Sequence, residues 1–201
     1  MSNRSLGLLV LAAVGTLSAT AQTTSPEVVD AVPIEARSRL YPEGAAERGV
    51  QGTATIRAEL SPEGVFSNPV LHESSRSDLL DAAAIALVPR LKYTPTEVGA
   101  ARPTSLLVPI EFRKDSLETL GAKTCADFNV DAAYFQETFP EQTLNDMPVF
   151  DLVMGILAFR VEANRRLALA QRLGQLKQDM VAACREAPDS GFLEHALQAI
   201  E

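Results

Sequence analysis

Two cysteines and one short polar run are the residues of this chain whose types could do chemistry. Cys125 and Cys184 are the only cysteines, and His72 to Ser75 places His, Glu and two Ser side by side. A nucleophilic cysteine needs a nearby general base or a CxxC pair, and neither is visible beside these two. A serine nucleophile needs a sharp turn and a facing base, whereas neighbours in a strand point to opposite faces. We therefore expect no enzymatic activity and no catalytic residues.

Composition also disfavours a metal site and a nucleic-acid surface. The chain has two Cys and two His, and their spacings fit no pair of zinc ligands. Its 18 Lys and Arg against 26 Asp and Glu give a net charge of −8, without the basic stripe that neutralises phosphates. Trp is absent and aromatic residues make up 5%, so a stacking platform for bases is not expected. We predict no metal, no cofactor and no nucleic-acid partner.

Residues 1–21 are typical of a signal peptide. Arg4 precedes an uncharged apolar stretch over residues 6–17, and the small residues that end at Ala21 predict cleavage before Gln22. A retained membrane anchor is the alternative, but this stretch of about a dozen residues is shorter than the roughly 20 that a spanning helix needs. The sequence therefore predicts an exported protein without a stable anchor.

The region from residue 40 to residue 113 alternates between helical and strand patterns, after a predicted linker over residues 22–39. Ala54, Ile56, Ala58 and Leu60 lie on one face of a half-buried strand. The predicted elements, in order, are a brief helix over 42–48, strands over 51–60 and 65–71 joined by a turn at 61–64, a helix over 79–91 that Pro89 kinks or ends, and a strand over 104–112.

These elements carry residues in the order and spacing of a known family. They are Tyr41, Pro42, Ala45, Gly49, Gly52, Gly64, Ser74, Ser75, Leu80, Asp81, Ala83, Ala84, Tyr93, Pro95 and the closing Pro109 to Phe112. The region resembles the TonB C-terminal domain family. The resemblance implies a three-stranded antiparallel sheet backed by two helices, in a protein of the Gram-negative periplasm. It also implies contact with outer-membrane receptors, through a partner segment added to an exposed strand edge.

The chain departs from the full energy transducers of that family. Those proteins keep an uncleaved N-terminal helix with a histidine inside the membrane, followed by a long Pro-rich spacer. Here the only histidines are His72 and His195, both far from the apolar start, and no such spacer is present. We therefore carry over the fold and the protein-binding role, and keep a membrane-anchored transducer as an alternative.

A second region, over residues 123–201, is predicted to be helical and follows a linker over residues 114–122. Helical patterns cover 149–161, 163–186 and 192–200. Cys125 and Cys184 lie 59 residues apart, and two cysteines in one small exported domain usually pair. A structural disulfide is therefore predicted, with buried free thiols as the alternative.

This region resembles the HdeA-like periplasmic acid-stress chaperones. The resemblance rests on the TCADF run at 124–128, the VAAC run at 181–184 and Phe192. It implies a small all-helical domain in which one disulfide joins an early helix to a later one. It also implies dimers that dissociate in strong acid and expose apolar surface to unfolded clients.

The sequence as a whole predicts an α+β fold, with a small three-stranded antiparallel sheet and two helices followed by a disulfide-stapled all-α domain. The predicted function is non-enzymatic protein binding in the periplasm, in outer-membrane transport or envelope maintenance. The predicted partner is a protein, either an outer-membrane receptor or an unfolded periplasmic client, and a homodimer is possible. An acid-stress chaperone and a membrane-anchored energy transducer are the alternative functions.

Overall fold

A computed structural model of the chain describes residues 27–93 and 104–200. The predicted signal peptide, its cleavage site between Ala21 and Gln22, and Pro95 of the family resemblance lie outside the described residues. The described elements are strands β1 (Glu27–Val28), β2 (Val32–Glu35), β3 (Gly52–Leu60), β4 (Phe66–Glu73) and β5 (Thr104–Arg113), and helices α1 (Asp78–Leu87), α2 (Cys125–Thr138), α3 (Val149–Arg160), α4 (Arg166–Glu186) and α5 (Phe192–Gln198).

The first half of the molecule is a sheet covered on one face by α1. The strand order is β4, β3, β5 and β1, and β2 also pairs with β5. The strands β3, β4 and β5 are antiparallel, as predicted. The predicted inner face of β3 is confirmed, since Ala54, Ile56, Ala58 and Leu60 are all buried. The turn after β3 requires glycine: Gly64 has φ +79°, and a Cβ there would lie 2.0 Å from the carbonyl oxygen of Tyr93.

The prediction of a three-stranded sheet is wrong, because the sheet has five strands within residues 27–93 and 104–200. The two additional strands come from residues 27–35, within the predicted linker, and both pair in parallel with β5. They are two and four residues long, and only Ile34 among them is buried. In β2, Val32, Ile34 and the following Ala36 alternate with the exposed Pro33 and Glu35 and pack on the core. This alternation spans only five residues and contains a proline, so it is too short to distinguish a strand from a linker.

The predicted helices of the first half are also shorter than expected. The segment over 42–48 contains only a 3-10 turn at Ala46–Arg48, which ends at Gly49 with φ +72°. Helix α1 ends at Leu87, and Pro89 follows in a second 3-10 turn, which confirms the predicted effect of this proline. Leu80, Ala84 and Leu87 pack on the sheet, but Leu79, whose spacing from Ala83 also favours the packed face, is exposed.

The second half is all helical and has its own hydrophobic core. Phe128 of α2, Phe150 of α3 and Phe192 of α5 meet at its centre, with the Phe128 and Phe192 rings stacked at 4.7 Å. Helix α2 begins at a capping box in which Thr124 and Asp127 bond each other's backbone N–H groups. Three of the four helices lie within a few residues of the predicted ranges.

Helix α4 differs from its prediction in what it buries. Its apolar residues recur at helical spacing along the whole length, a pattern that favours a continuous packing face. In the structure its fully buried residues lie only in the later part, at Leu176, Met180, Val181 and Cys184, while Leu169 in the earlier part is partly buried against the core. No side chain from Arg166 to Gln175 is buried. Among the described residues, no helix is long and apolar enough to cross a membrane.

Candidate partner-binding edge

The sheet has two outer strands, and β4 is poorly suited to pair with another strand. Pro69, near its middle, has no backbone N–H to donate. Asn68 has φ +51°, and the β3–β4 pairing shifts register twice, so the strand is irregular. Proline and bulges are common ways in which proteins protect an edge strand from unwanted pairing. The β4 edge is therefore poorly suited to accept a strand from a partner.

The outer edge of β5 already carries extended backbone. Residues 27–36, which we call the N-terminal strap, run in parallel with β5 from Leu106 to Arg113. The Val29 N–H donates to the carbonyl of Leu107, and the Ala36 N–H donates to the carbonyl of Arg113, both at 3.0 Å. This edge therefore offers a row of backbone donors and acceptors that an extended segment can pair with in parallel.

Apolar side chains hold the strap against the core at a few positions, and Val29, Val32 and Ala36 are only partly buried there. Ile34 is the one residue of β1 and β2 that is buried, and Val28 is largely exposed. Beyond the strap, Arg37 pairs with Glu118 at 2.9 Å, but both side chains are mostly exposed, and such pairs contribute little. The strap is thus held by backbone hydrogen bonds, by the buried Ile34 and by the partly buried Val29, Val32 and Ala36. It pairs with β5 over six residues, whereas β3 pairs with β5 over nine, so the strap is the less extensively paired neighbour of β5.

A buried charge cluster joins the sheet to the helical half. Asp131 of α2 has a fully buried side chain and accepts from Lys123 at 2.5 Å and from Lys114 at 2.6 Å. Lys123, whose side chain is 3% exposed, also pairs with Asp115 at 2.8 Å. Lys114 and Asp115 directly follow β5, so the cluster fixes the end of that strand against α2.

The surroundings of Asp115 and Lys123 in this cluster shift the pKa values of both side chains. Burial raises the pKa of Asp115, and the repulsion from Asp131 adds to this, although Lys123 opposes both. Burial alone would lower the pKa of Lys123, but the carboxylates of Asp131 and Asp115 outweigh it and raise that pKa. Lys123 therefore stays charged at neutral pH.

Other contacts also hold the two halves together. A Cβ at Gly49 would lie 3.0 Å from Cα of Asp131, so glycine permits the close approach of α2 to the sheet. Arg76 donates to the carbonyl of Thr138, pairs with Glu141 and lies over the ring of Phe139. Between these contacts, a cleft of about 550 Å³ reaches the carboxyl end of β5.

The polar run that could have suggested a hydrolase has a structural role. The hydroxyl of Ser74 donates to Asp81 at 2.5 Å, and both the hydroxyl and the N–H of Ser75 donate to the same carboxylate. His72 instead lies against Arg57, with 3.0 Å between its Nδ1 and the guanidinium. The two serines therefore anchor the start of α1 through Asp81, and His72 does not face them as a base.

The structure joins Cys125 and Cys184 in a disulfide, as predicted, with 4.7 Å between their Cα atoms. The bond links the first residue of α2 to the last turns of α4. Within residues 27–93 and 104–200, one group of three potential metal ligands occurs, and it consists of these two sulfurs and His195. Sulfurs in a disulfide are not thiolates, so this group does not fit a metal site.

Comparison with protein families identifies the sheet-bearing half. Residues 37–113 match the family model of the Gram-negative bacterial TonB protein C-terminal. This part of the chain is a TonB C-terminal domain. Such domains are protein-interaction modules of the Gram-negative envelope, and they contact proteins such as outer-membrane receptors. No curated protein and no solved structure matches the chain.

The family match begins immediately after the strap. The strap ends at residue 36 and the match begins at residue 37, so β1 and β2 lie outside the matched residues although they belong to the same sheet. The helical half also lies outside the match, and its resemblance to acid-stress chaperones stays a prediction. The sequence patterns did not predict the strap or the buried cluster of Lys114, Asp115, Lys123 and Asp131. Alternating apolar residues at 32, 34 and 36 were the available signal for the strap, and no motif indicated the cluster.

Proposed function

We propose that the protein works in the periplasm and binds an extended segment of a partner protein along the outer edge of β5, where the strap now lies. The partner belongs to outer-membrane transport or envelope maintenance. The observation that carries this proposal is the contrast between the two sheet edges. The β5 edge pairs with extended backbone in parallel, whereas Asn68 and Pro69 interrupt the β4 edge.

Exchange of the strap for a partner segment is energetically reasonable. Backbone hydrogen bonds to β5 would be replaced one for one, so the exchange leaves the number of bonds unchanged. The main loss is the burial of Ile34 and the partial burial of Val29, Val32 and Ala36. A partner can restore it with apolar residues at the same register, the main one opposite Phe112. The cluster of Lys123 and Asp131 keeps the end of β5 fixed while the strap leaves.

Photo-crosslinking in cells tests which edge the partner uses. We would place a photoreactive benzophenone amino acid at Ser105 in β5 or at Ser67 in β4. Both serines are exposed and both lie opposite Glu59 in the sheet, so they form a matched pair on its two sides. We expect a discrete cross-linked envelope protein from Ser105 and little or none from Ser67.

Two outcomes would contradict this proposal. A partner that cross-links from Ser67 and not from Ser105 would place binding at the β4 edge. The absence of any cross-linked protein from Ser105, in cells where the chain is produced and folded, would remove the strand-edge role.

A second candidate function, acid-stress chaperone activity, is favoured by the helical half. Hydrogen bonds lower the pKa of three of its carboxyl groups: Thr124 bonds Asp127, Arg76 bonds Glu141, and Thr143 bonds Asp146. A lowered folded-state pKa gives stability above the unfolded pKa of about 4, and this stability is lost as pH falls through the folded pKa. The helical half is therefore expected to loosen in acid while its disulfide still links α2 to α4.

The pH dependence of unfolding tests this acid response. Urea unfolding of the wild type should show a lower midpoint at pH 3 than at pH 6. In Asp127→Asn/Asp146→Asn the decrease should be smaller, because two of the responsible carboxyl groups are gone. An equal decrease in both proteins would mean that these caps do not cause the acid sensitivity. Failure of the wild type to suppress aggregation of a test client at pH 2 to 3 would remove the chaperone candidate.

A further inference from the structure

The corner between α3 and α4 exposes apolar side chains that no other described residue covers. Phe159, in the last turn of α3, is 91% exposed, and Leu167, in the first turn of α4, is 71% exposed. They are the two most exposed large hydrophobic side chains in the described part of the chain. Five residues separate the two helices, so both side chains lie at the same end of the helical half.

The same corner is basic, although the chain as a whole is acidic. Residues 159–172 contain four arginines and one acidic residue, Glu162, in a chain of net charge −8. The four are Arg160, Arg165, Arg166 and Arg172. None of them forms an ion pair with a described residue. By contrast, Arg37, Arg76, Arg113, Lys114 and Lys123 all pair with carboxylates.

The hydrogen bonds of these arginines leave most of their donors free. Arg165 donates to the carbonyl of Ile200, and Arg166 donates to the carbonyl of Val161. Arg160 and Arg172 have no hydrogen bond to any described residue. A guanidinium has five N–H donors, so each of the four can still bind a phosphate oxygen.

We propose that the α3–α4 corner, defined by residues 159–172, docks on an anionic phospholipid surface. Phe159 and Leu167 enter the headgroup region, and the four arginines contact lipid phosphates. Segments that lie in a membrane interface typically carry exposed apolar side chains beside clustered arginines. A deformable surface also suits a ring that protrudes almost completely, since no matching pocket is needed.

Two other occupants fit the corner less well. A second copy of the chain would make a twofold contact, which brings the same patch of both copies together and sets arginines against arginines. An acidic protein would satisfy the charges but would need a pocket shaped for Phe159. The inference goes beyond the proposed function, because it places a second binding surface in the half that lacks the β5 edge.

Sedimentation with lipid vesicles tests the proposal. The full chain would be mixed with vesicles of phosphatidylcholine alone, or of a two-to-one mixture of phosphatidylcholine and phosphatidylglycerol. We expect binding to the mixed vesicles only, and loss of this binding at high salt. In Arg160→Gln/Arg172→Gln the partition coefficient should fall about tenfold or more, since each arginine near such a surface contributes about fivefold.

An apolar variant and matched controls complete the test. Phe159→Ser should weaken binding about fivefold to tenfold, because the ring no longer enters the interface. Two control variants change side chains elsewhere on the surface. Arg39→Gln/Arg90→Gln removes two exposed arginines, and Val70→Ser removes one exposed apolar side chain. The partition coefficient of each control should stay within about twofold of the wild-type value. The wild type and all variants carry the same N-terminal segment, so any contribution of that segment to vesicle binding is the same in every comparison.

Several results would overturn the proposal. Absence of binding to the mixed vesicles would do so, as would equal binding to both vesicle types. Corner variants that bind like the control variants would show that this surface does not dock. Sedimentation equilibrium in which a dimer forms in the wild type and is lost in Phe159→Ser would assign the corner to a second copy of the chain. Lipid-independent capture of one acidic protein that needs Arg160 and Arg172 would assign it to a protein.

Discussion

Asparagine in place of Asp131 is expected to lower the free energy of unfolding by about 3–5 kcal/mol, which is the usual cost of removing one charged partner from a buried ion pair. The Asp131 side chain is fully buried between Lys114 and Lys123. Asparagine has nearly the same shape, so the substitution removes the charge without leaving a cavity. Lys123 would keep Asp115 as its partner, but Lys114 would lose the carboxylate it now bonds.

Chemical denaturation measures this effect, and the chain offers a matched control. Glu118→Gln breaks the exposed pair with Arg37 and should change stability by about 1 kcal/mol or less. The double variant Asp131→Asn/Lys114→Gln should recover part of the loss, because it also removes a cation left without its carboxylate. A loss below about 1 kcal/mol in Asp131→Asn would show that the cluster does not hold the two halves together.

Removal of the disulfide is expected to have an effect of similar size. The bond closes a loop of about sixty residues, which in the chain-entropy model corresponds to about 4 kcal/mol of stability. Cys125→Ala/Cys184→Ala should therefore unfold at a much lower urea concentration than the wild type. The loss should be concentrated in the helical half, because the bond links α2 to α4 and none of its atoms lies in the sheet.

Hydrogen exchange can show where the disulfide acts. In the double cysteine variant, amides of α2 and α4 should exchange faster, whereas those of β3 and β5 should keep most of their protection. Reduction of the wild type should reproduce this result without any change of sequence. Equal loss of protection in both halves would contradict the local role of the bond, and stability within 1 kcal/mol of the wild type would contradict its importance.

The parts of the fold that follow from sequence are those with a pattern strong enough to specify them. The alternation of Ala54, Ile56 and Ala58 predicts a half-buried strand, and its inner face is observed. Pro89 correctly predicts the end of α1. In each case one local rule, either two-residue periodicity or the missing N–H of proline, determines the structure.

The remaining features depend on contacts that no local pattern encodes. The strap pairs with residues almost eighty positions later, and it uses backbone groups that every sequence has. Asp131 lies 17 residues from Lys114 and eight from Lys123, and only the packing of α2 on the sheet brings them together. The apolar periodicity of α4 begins at Leu167, although its first fully buried side chain is Leu176. A periodic pattern shows which residues share a face of the helix, but not whether another part of the protein packs against that face.

The most direct test of the central claim is whether weakening the strap opens the β5 edge to a partner. Ile34→Ala shortens the one fully buried side chain of the strap, and Ala36→Pro removes the N–H that bonds Arg113, so the two variants weaken the strap by independent means. With the photoreactive residue at Ser105, both should raise the yield of the cross-linked partner several-fold over the wild type, while Val70→Ser on β4 leaves it unchanged. A yield that stays constant or falls in both strap variants, with the sheet still folded, would contradict the claim that a partner segment takes the place of the strap.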